Sequence, residues 1–378
     1  MKLTSGMIKA RAKELGIDRV GIGNIERYDE APPLFAPKSY FPGAKSVIVI
    51  AMRIPRGSYR GIEEGTHWHN YTYYAYNRLN TVIRPRLTYQ LSTFIEDHGW
   101  EAVPCYPAVP ERNPVREPVA EGKLPSDIVM QIRLMGVGAG VGEMGYSKVF
   151  MTPEFGPRVR LGLILTDAVL EPDPIIEPQT ICNLCGQCVK DCPGNAIPPV
   201  KDKTKRIKVR VGDKTISWAD VHMGRCTLTH HGFNNRISPF HKKAFPNMEF
   251  DVENAHVTEE EAYRLCYPLA TAKWTDAVWE GGDPSIIKFY SYVMSHTGYF
   301  ALCGAKGCIR ACMMNLEKTG RIKNLFHNRF QYKEPWLLDN KIDPENMRGV
   351  INPFREAYLD GADPGLRDGE QEEKLFTS

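Results

Sequence analysis

The sequence predicts a mixed helix-and-strand fold, α/β or α+β, that runs into a cysteine-rich segment. Three observations lead there. Helical apolar spacing over residues 3–16 and 71–98 alternates with short apolar runs such as Val47–Met52. The cysteines concentrate downstream of that alternation, at short fixed spacings. No apolar stretch is long enough to cross a membrane. At 378 residues the chain can build one large core or two domains.

Ile8, Ala12 and Leu15 share one face of the first helix, and Gly16 stops it. Arg19-Val-Gly-Ile-Gly is a short strand whose glycines are wrongly placed for a dinucleotide fingerprint. Pro32, Pro33 and Pro37 mark a loop, and Val47–Met52 reads as a strand buried on both faces. Tyr71 opens a long helix that reaches His98 and bends near Pro85. Gly99–Cys105 is the next strand, Glu111–Ser126 a proline- and charge-rich loop, and Asp127–Leu134 a helix. Five glycines then fall within the ten residues Gly136–Gly145. That density implies close backbone approach to a phosphate, to a flat macrocycle or to a neighbouring element. Thr152–Pro157 is a turn, Arg158–Asp167 a core strand and Lys201–Ser217 a charged hairpin.

The most informative stretch is Cys182-Asn-Leu-Cys185-Gly-Gln-Cys188-Val-Lys-Asp-Cys192-Pro193. Steps of two, two and three intervening residues, then proline, are those of bacterial ferredoxins. There, three thiolates hold one 4Fe–4S cluster and the fourth reaches a second cluster. Gly186 lets the backbone pass close to the sulfides, and Pro193 turns Cys192 away from the first three. The alternative is a zinc knuckle, but zinc ligands usually come as two separated pairs.

A second set follows in Cys303, Cys308 and Cys312, with Cys226 between the two sets. Exchanging the outer cysteines gives one cluster to Cys182, Cys185, Cys188 and Cys312, and another to Cys192, Cys226, Cys303 and Cys308. Cys105 and Cys266 are left over. Residues 227–302 form a long insertion carrying His230, His231, His241, His256, His296, Trp274 and Trp279, with no metal-ligand spacing among the histidines. The tail after Arg321 has alternating charge and a helix over Asn352–Tyr358.

Cysteines in cluster spacing imply a reducing compartment. The N-terminus enters a helix directly, with no apolar core or twin arginine, so a cytoplasmic location is expected. A net charge of +3 does not argue for nucleic acid. The tyrosines of residues 71–76 could line a core edge, or supply the weak acid a reductive site needs.

The order of motifs resembles the superfamily of reductive dehalogenases and epoxyqueuosine reductases. The residues that carry the resemblance are Pro42-Gly-Ala-Lys-Ser-Val-Ile, Gly140-Val-Gly-Glu-Met-Gly, Thr152-Pro-Glu-Phe-Gly-Pro-Arg-Val-Arg, Leu165-Thr-Asp, the Cys182 run, Trp218 with Cys226, and the second cysteine set. The specific part, Gly140–Ile197, looks closer to the dehalogenases.

The resemblance implies a nitroreductase-like corrinoid-binding core over residues 1–175 and a two-cluster ferredoxin domain over 176–320. A C-terminal extension over 321–378 would follow. It implies two 4Fe–4S clusters and a corrinoid (cobalamin), with Gly138, Gly140, Gly142 and Thr72 against the macrocycle. Tyr76 would be the catalytic acid and Arg133 its basic partner. In the epoxyqueuosine reductases an aspartate plays the acid, and Asp127 is similar in setting. Met313 stands where proline usually follows the last cysteine, and no C-terminal helical repeat for tRNA is apparent.

The expected activity is reductive cleavage of a carbon–halogen or carbon–oxygen bond. The alternatives are reduction of epoxyqueuosine in tRNA, or electron transfer without a corrinoid. The expected partners are a small-molecule substrate and an electron donor such as ferredoxin or flavodoxin. Nucleic acid is disfavoured, and a homodimer is allowed.

Overall fold

The computed structural model describes residues 2–106, 117–125, 130–234, 236–239, 251–271, 301–331 and 336. The chain divides into two compact units, Met1–Trp336 and Leu337–Ser378, and the second lies outside the described residues. So do Asp127, His241, His296, Trp274, Trp279 and the tail helix expected over Asn352–Tyr358. No described helix is long and apolar enough to cross a membrane.

The centre of the first unit is a four-stranded sheet. Its strands are β1 (Arg19–Asn24), β2 (Ser46–Arg53), β3 (Ala102–Cys105) and β6 (Val159–Thr166), in the order β1-β2-β6-β3. Every pairing is antiparallel, so the mixed fold is of the α+β kind. β2 is buried on both faces, as its unbroken apolar run predicts, although that run is more typical of parallel sheets.

Alternation divides β2 between two cores. Ile48, Ile50 and Met52 face Ile8 and Ala12 of the helix Ser5–Glu14, and Leu87, Leu91 and Ile95 of the helix Arg84–Glu96. Val47, Val49 and Ala51 face Met135 and Val137 of the helix Ile132–Gly138, then Ala139 and Val141. Each fully buried aliphatic side chain contributes roughly 1.5–3 kcal/mol. The sheet is thereby pinned on both sides.

The long helix expected over residues 71–98 is two helices in one line. Thr72–Ile83 is wound as a π-helix, and Arg84–Glu96 continues as an α-helix with Pro85 in its first turn. Proline fits there because no intrahelical N–H is needed. A π-helical run marks strain or function more often than chance. Here the Ala75 carbonyl accepts a 2.7 Å hydrogen bond from Arg160 Nε on β6.

Two short strands, β4 (Glu143–Met144) and β5 (Phe150–Met151), follow the glycine run. The charged hairpin is present as β7 (Arg206–Val211) and β8 (Lys214–Ala219), closed at Gly212-Asp213. Gly212 has the positive φ that such a two-residue turn requires. Past the hairpin come the helices Met223–His230 and Glu259–Thr271. A tight turn at Cys303–Ala305 then leads to the helix Cys308–Thr319.

Candidate functional site

The eight cysteines lie in two groups. Cys182, Cys185, Cys188 and Cys312 line one small cavity together with Gly145, Tyr146, Ser147 and Met151. Burial, then the neighbouring thiols of Cys182, Cys188 and Cys185, pushes the Cys312 thiol well above its usual range. Burial, then Cys182 and Cys185, raises Cys188 to about 12. In the other group, burial and then Cys308, Cys226 and Cys192 push up Cys303. Cys308 is raised by burial and then by Cys226, Cys192 and Cys188. The two groups therefore meet along Cys188, Cys308 and Cys312, as the helix Cys308–Thr319 gives one cysteine to each.

Local structure explains the grouping. Gly186 has a φ of 77° and starts the one-turn helix Gln187–Lys190, which folds Cys188 back toward Cys182 and Cys185. Cys192 sits past that turn, where its sulfur accepts a 3.3 Å hydrogen bond from the Ala196 N–H. In each group several thiols are pushed up by burial and by one another, and thiols so crowded are poor company. A cationic centre that displaces their protons relieves this, so the donor sets fit a thiolate-bound metal cluster. Among the described residues, no three His, Cys, Asp or Glu side chains gather tightly enough to hold a single metal ion.

Glu143 is the residue the sequence reading missed. It is the one charged side chain between Arg133 and Lys148, set among glycines, and that contrast was the available signal. The carboxylate is buried and accepts hydrogen bonds from the N–H groups of Ile181 and Cys182. Burial raises its pKa, against the pull of those N–H groups. Glu143 thus fastens the start of the first cysteine run to β4.

Gly138, Gly140 and Gly142 are buried against the protein itself. A side chain on Gly138 would strike Tyr28, one on Gly140 the Pro174 carbonyl, and one on Gly142 the Met151 carbonyl. Gly140 also has a φ of 69°. Close packing of neighbouring elements accounts for these glycines. Thr72 is likewise occupied: its hydroxyl donates to the Ala301 carbonyl at 2.7 Å, just before Cys303.

Tyr76 and Arg133 lie in different places, so the expected pairing is corrected. The guanidinium over the Tyr76 ring is that of Arg160, 4.1 Å from its centroid. His230 and Tyr71 flank the same ring at 5.2 and 5.6 Å between centroids. Burial works to lower the Arg160 pKa, but Tyr76, Tyr71 and Tyr59 outweigh it and hold the charge. Arg160 is an arginine inside an apolar strand, and one sequence cannot say which side chain it will cover.

Arg133 instead lines a cavity of about 350 Å³. The walls are mainly apolar, including Met135, Met144, Val209 and Trp218, with Lys148, Arg210 and Asp220 as charged groups. Apolar walls with a few polar groups suit an organic ligand. Met144 leads directly into Gly145 and Tyr146 of the first thiol group, and Met223 stands three residues from Cys226.

No family model matches the chain. Over 219 residues it is 28% identical to an epoxyqueuosine reductase of Bacillus cereus, covering 50% of each protein. Over 118 residues it is 30% identical to a tetrachloroethene reductive dehalogenase of Dehalobacter restrictus, covering 31% of this chain and 18% of that protein. This chain is a relative of both reductase families. The epoxyqueuosine reductase match covers more of the chain, and neither family is established as the closer. The chain spans about half the length of the epoxyqueuosine reductase it matches. Among solved structures, an epoxyqueuosine reductase of Bacillus subtilis superposes with a TM-score of 0.39 at 17% identity, covering 82% of this chain and 80% of that one. A reductive dehalogenase described in terms of B12-dependent dehalogenation superposes with a TM-score of 0.41 at 15% identity, covering 89% and 41%.

Proposed function

We propose that this chain is a corrinoid-dependent iron–sulfur reductase that cleaves a carbon–halogen or carbon–oxygen bond. The observation that carries the reading is the meeting of eight thiols in two groups of four. Cys182, Cys185, Cys188 and Cys312 would hold one 4Fe–4S cluster, and Cys192, Cys226, Cys303 and Cys308 the other. Residues 176–320 form the cluster-bearing, ferredoxin-type part in this reading, with the insertion at 227–302. Residues 1–175 form a nitroreductase-like core, and 321–378 an extension.

The corrinoid is assigned to the cavity beside Trp218 rather than to the glycines, whose approach faces are already filled. The apolar wall suits a flat ring, while Arg133, Lys148 and Arg210 suit polar substituents at its edge. When bound, the corrinoid supplies a strongly reducing centre for bond cleavage, and the protein supplies orientation and electrostatics. Tyr76 lies apart from this cavity, with Arg160 and not Arg133 holding its ring and hydroxyl in place, so it is not the proton donor to a substrate that reacts at a corrinoid bound there. Glu143 fixes the first cysteine run, and Thr72 fixes the chain just before Cys303.

Epoxyqueuosine reduction is the second reading, favoured by the longer sequence match. Two assays separate the two. The first follows reduction of halogenated aromatics and alkenes, and the second reduction of an epoxyqueuosine-bearing tRNA stem loop. Turnover only of the stem loop replaces the first reading by the second. Turnover of neither by a cobalt-loaded chain contradicts both.

A further inference from the structure

The turn that joins β4 to β5 stands between two features of the first unit. Met144 and Lys148 line the cavity of about 350 Å³. Gly145, Tyr146 and Ser147, between them, line the small cavity shared by Cys182, Cys185, Cys188 and Cys312.

The turn is firmly held. The Gly145 N–H donates to the Val149 carbonyl at 2.8 Å, and the Lys148 N–H to the Gly145 carbonyl at 3.0 Å. Lys148 takes a positive φ of 65°, an uncommon conformation for a residue with a side chain. The Tyr146 hydroxyl donates between the Pro198 and Pro199 carbonyls at 3.0 and 2.9 Å. The Tyr146 carbonyl accepts from the Ala219 N–H of β8 at 2.8 Å. The turn is thus fixed over the first thiol group from two sides.

Two groups of the turn reach sulfur. Burial pushes the Cys182 thiol up, and the Tyr146 and Leu184 N–H groups pull it back. Burial, then Cys182 and Cys185, pushes Cys188 up, and a hydrogen bond with the Ser147 side chain opposes them. A hydroxyl that favours the charged form of a thiol is acting as its donor. Of the two hydroxyls that line this cavity, that of Tyr146 is engaged by the prolines and that of Ser147 meets a cysteine.

We infer that Ser147 is a hydrogen-bond donor to the Cys188 thiolate of the first cluster and so raises that cluster's reduction potential. The inference rests on the two-cluster reading above. A donor to a cluster sulfur stabilises the more negative, reduced state. Ser147 is a positioning and tuning residue in this role, without contact to substrate.

The test is an EPR-monitored redox titration of the full chain, anaerobically loaded with iron and sulfide, beside Ser147→Ala and Ser147→Thr. Iron content should be equal in all three. In Ser147→Ala one cluster should become about tenfold harder to reduce at a fixed potential, ~59 mV for one electron. The other cluster should not move, and Ser147→Thr, which keeps the hydroxyl, should restore the wild-type value. Full iron with both potentials unmoved in Ser147→Ala overturns the inference and leaves Ser147 a turn residue. If Ser147→Ala fails to retain iron, Ser147→Val is compared with Ser147→Thr, since the two side chains share a shape and differ in the donor. The Val form should then be the harder to reduce at one cluster, and equal potentials overturn the inference. A wild-type chain that forms no pair of four-iron clusters defeats the two-cluster reading itself, which iron analysis shows before any titration.

Discussion

Arg310 and Glu63 meet in a buried ion pair closed by two hydrogen bonds, Nε to Oε2 and Nη2 to Oε1, each 2.7 Å long. Both side chains are under 10% exposed, at 7% and 2%. Arg310 lies between Cys308 and Cys312 on the helix that serves both thiol groups. A second pair, Arg56 with Glu317, ties the same helix to the core at 2.8 Å. The position of two proposed cluster ligands thus depends on charges more than 240 residues away in sequence.

Replacing Arg310 by Met leaves Glu63 buried without its partner. Breaking one side of a buried pair costs about 3–5 kcal/mol. Urea unfolding should show that loss, with iron shed faster on gel filtration. The double replacement Arg310→Met with Glu63→Met should recover most of the stability, because no charge is then stranded. Equal stability of wild type and Arg310→Met would show that the pair does not brace the helix.

Glu143→Gln should loosen the first cysteine run. The carboxylate accepts from two N–H groups, whereas an amide offers one oxygen and turns an N–H₂ toward the other donor. The loss of one charge-assisted bond is about 1.5–3 kcal/mol. Iron retention in the first cluster should fall more than in the second, as read from the EPR signals of the two clusters. Unchanged retention would reduce Glu143 to a packing residue.

His230 gives a pH dependence with a definite sign. Burial, then the charges of His231 and Arg160, holds its imidazole well below the usual range. The unfolded chain takes up a proton there below about pH 6.5, and the folded chain does not. This group's contribution is therefore complete above about pH 6.5 and is lost as pH falls toward the folded value. His230→Gln should lessen the fall in Tm between about pH 7.5 and 5.5. A variant that loses as much Tm on acidification as the wild type would contradict this.

The separation of Tyr76 from Arg133 has kinetic consequences. Tyr76→Phe should leave iron loading, cobalt loading and turnover unchanged, because Tyr76 is packed away from the assigned cavity. Arg133→Leu should weaken corrinoid loading, since its guanidinium lines that cavity. A loss of turnover of about a hundredfold or more in Tyr76→Phe, the low end for loss of a general acid, would contradict the placing of the corrinoid there.

What could be read from the sequence was what local pattern encodes. Val47–Met52 and Arg158–Asp167 announce themselves because a buried strand must be apolar along its length. The cysteine groups follow from spacing and the need for a fourth ligand in each. The π-helical winding of Thr72–Ile83 was not legible, since the same side chains fit an α-helical period equally well. The glycines of residues 136–145 were ambiguous for a physical reason: a glycine kept small for a ligand and one kept small for a neighbouring carbonyl look alike. Arg160 over Tyr76, and Glu143 under Cys182, arise only when the sheet brings distant segments together.

The most direct measurement is iron and cobalt per chain after anaerobic purification with corrinoid supplied. Two four-iron clusters predict about eight iron atoms, and one corrinoid predicts about one cobalt. Eight iron with no cobalt would contradict the corrinoid mechanism and leave an electron-transfer protein, while about four iron or fewer would contradict the pairing of the eight cysteines.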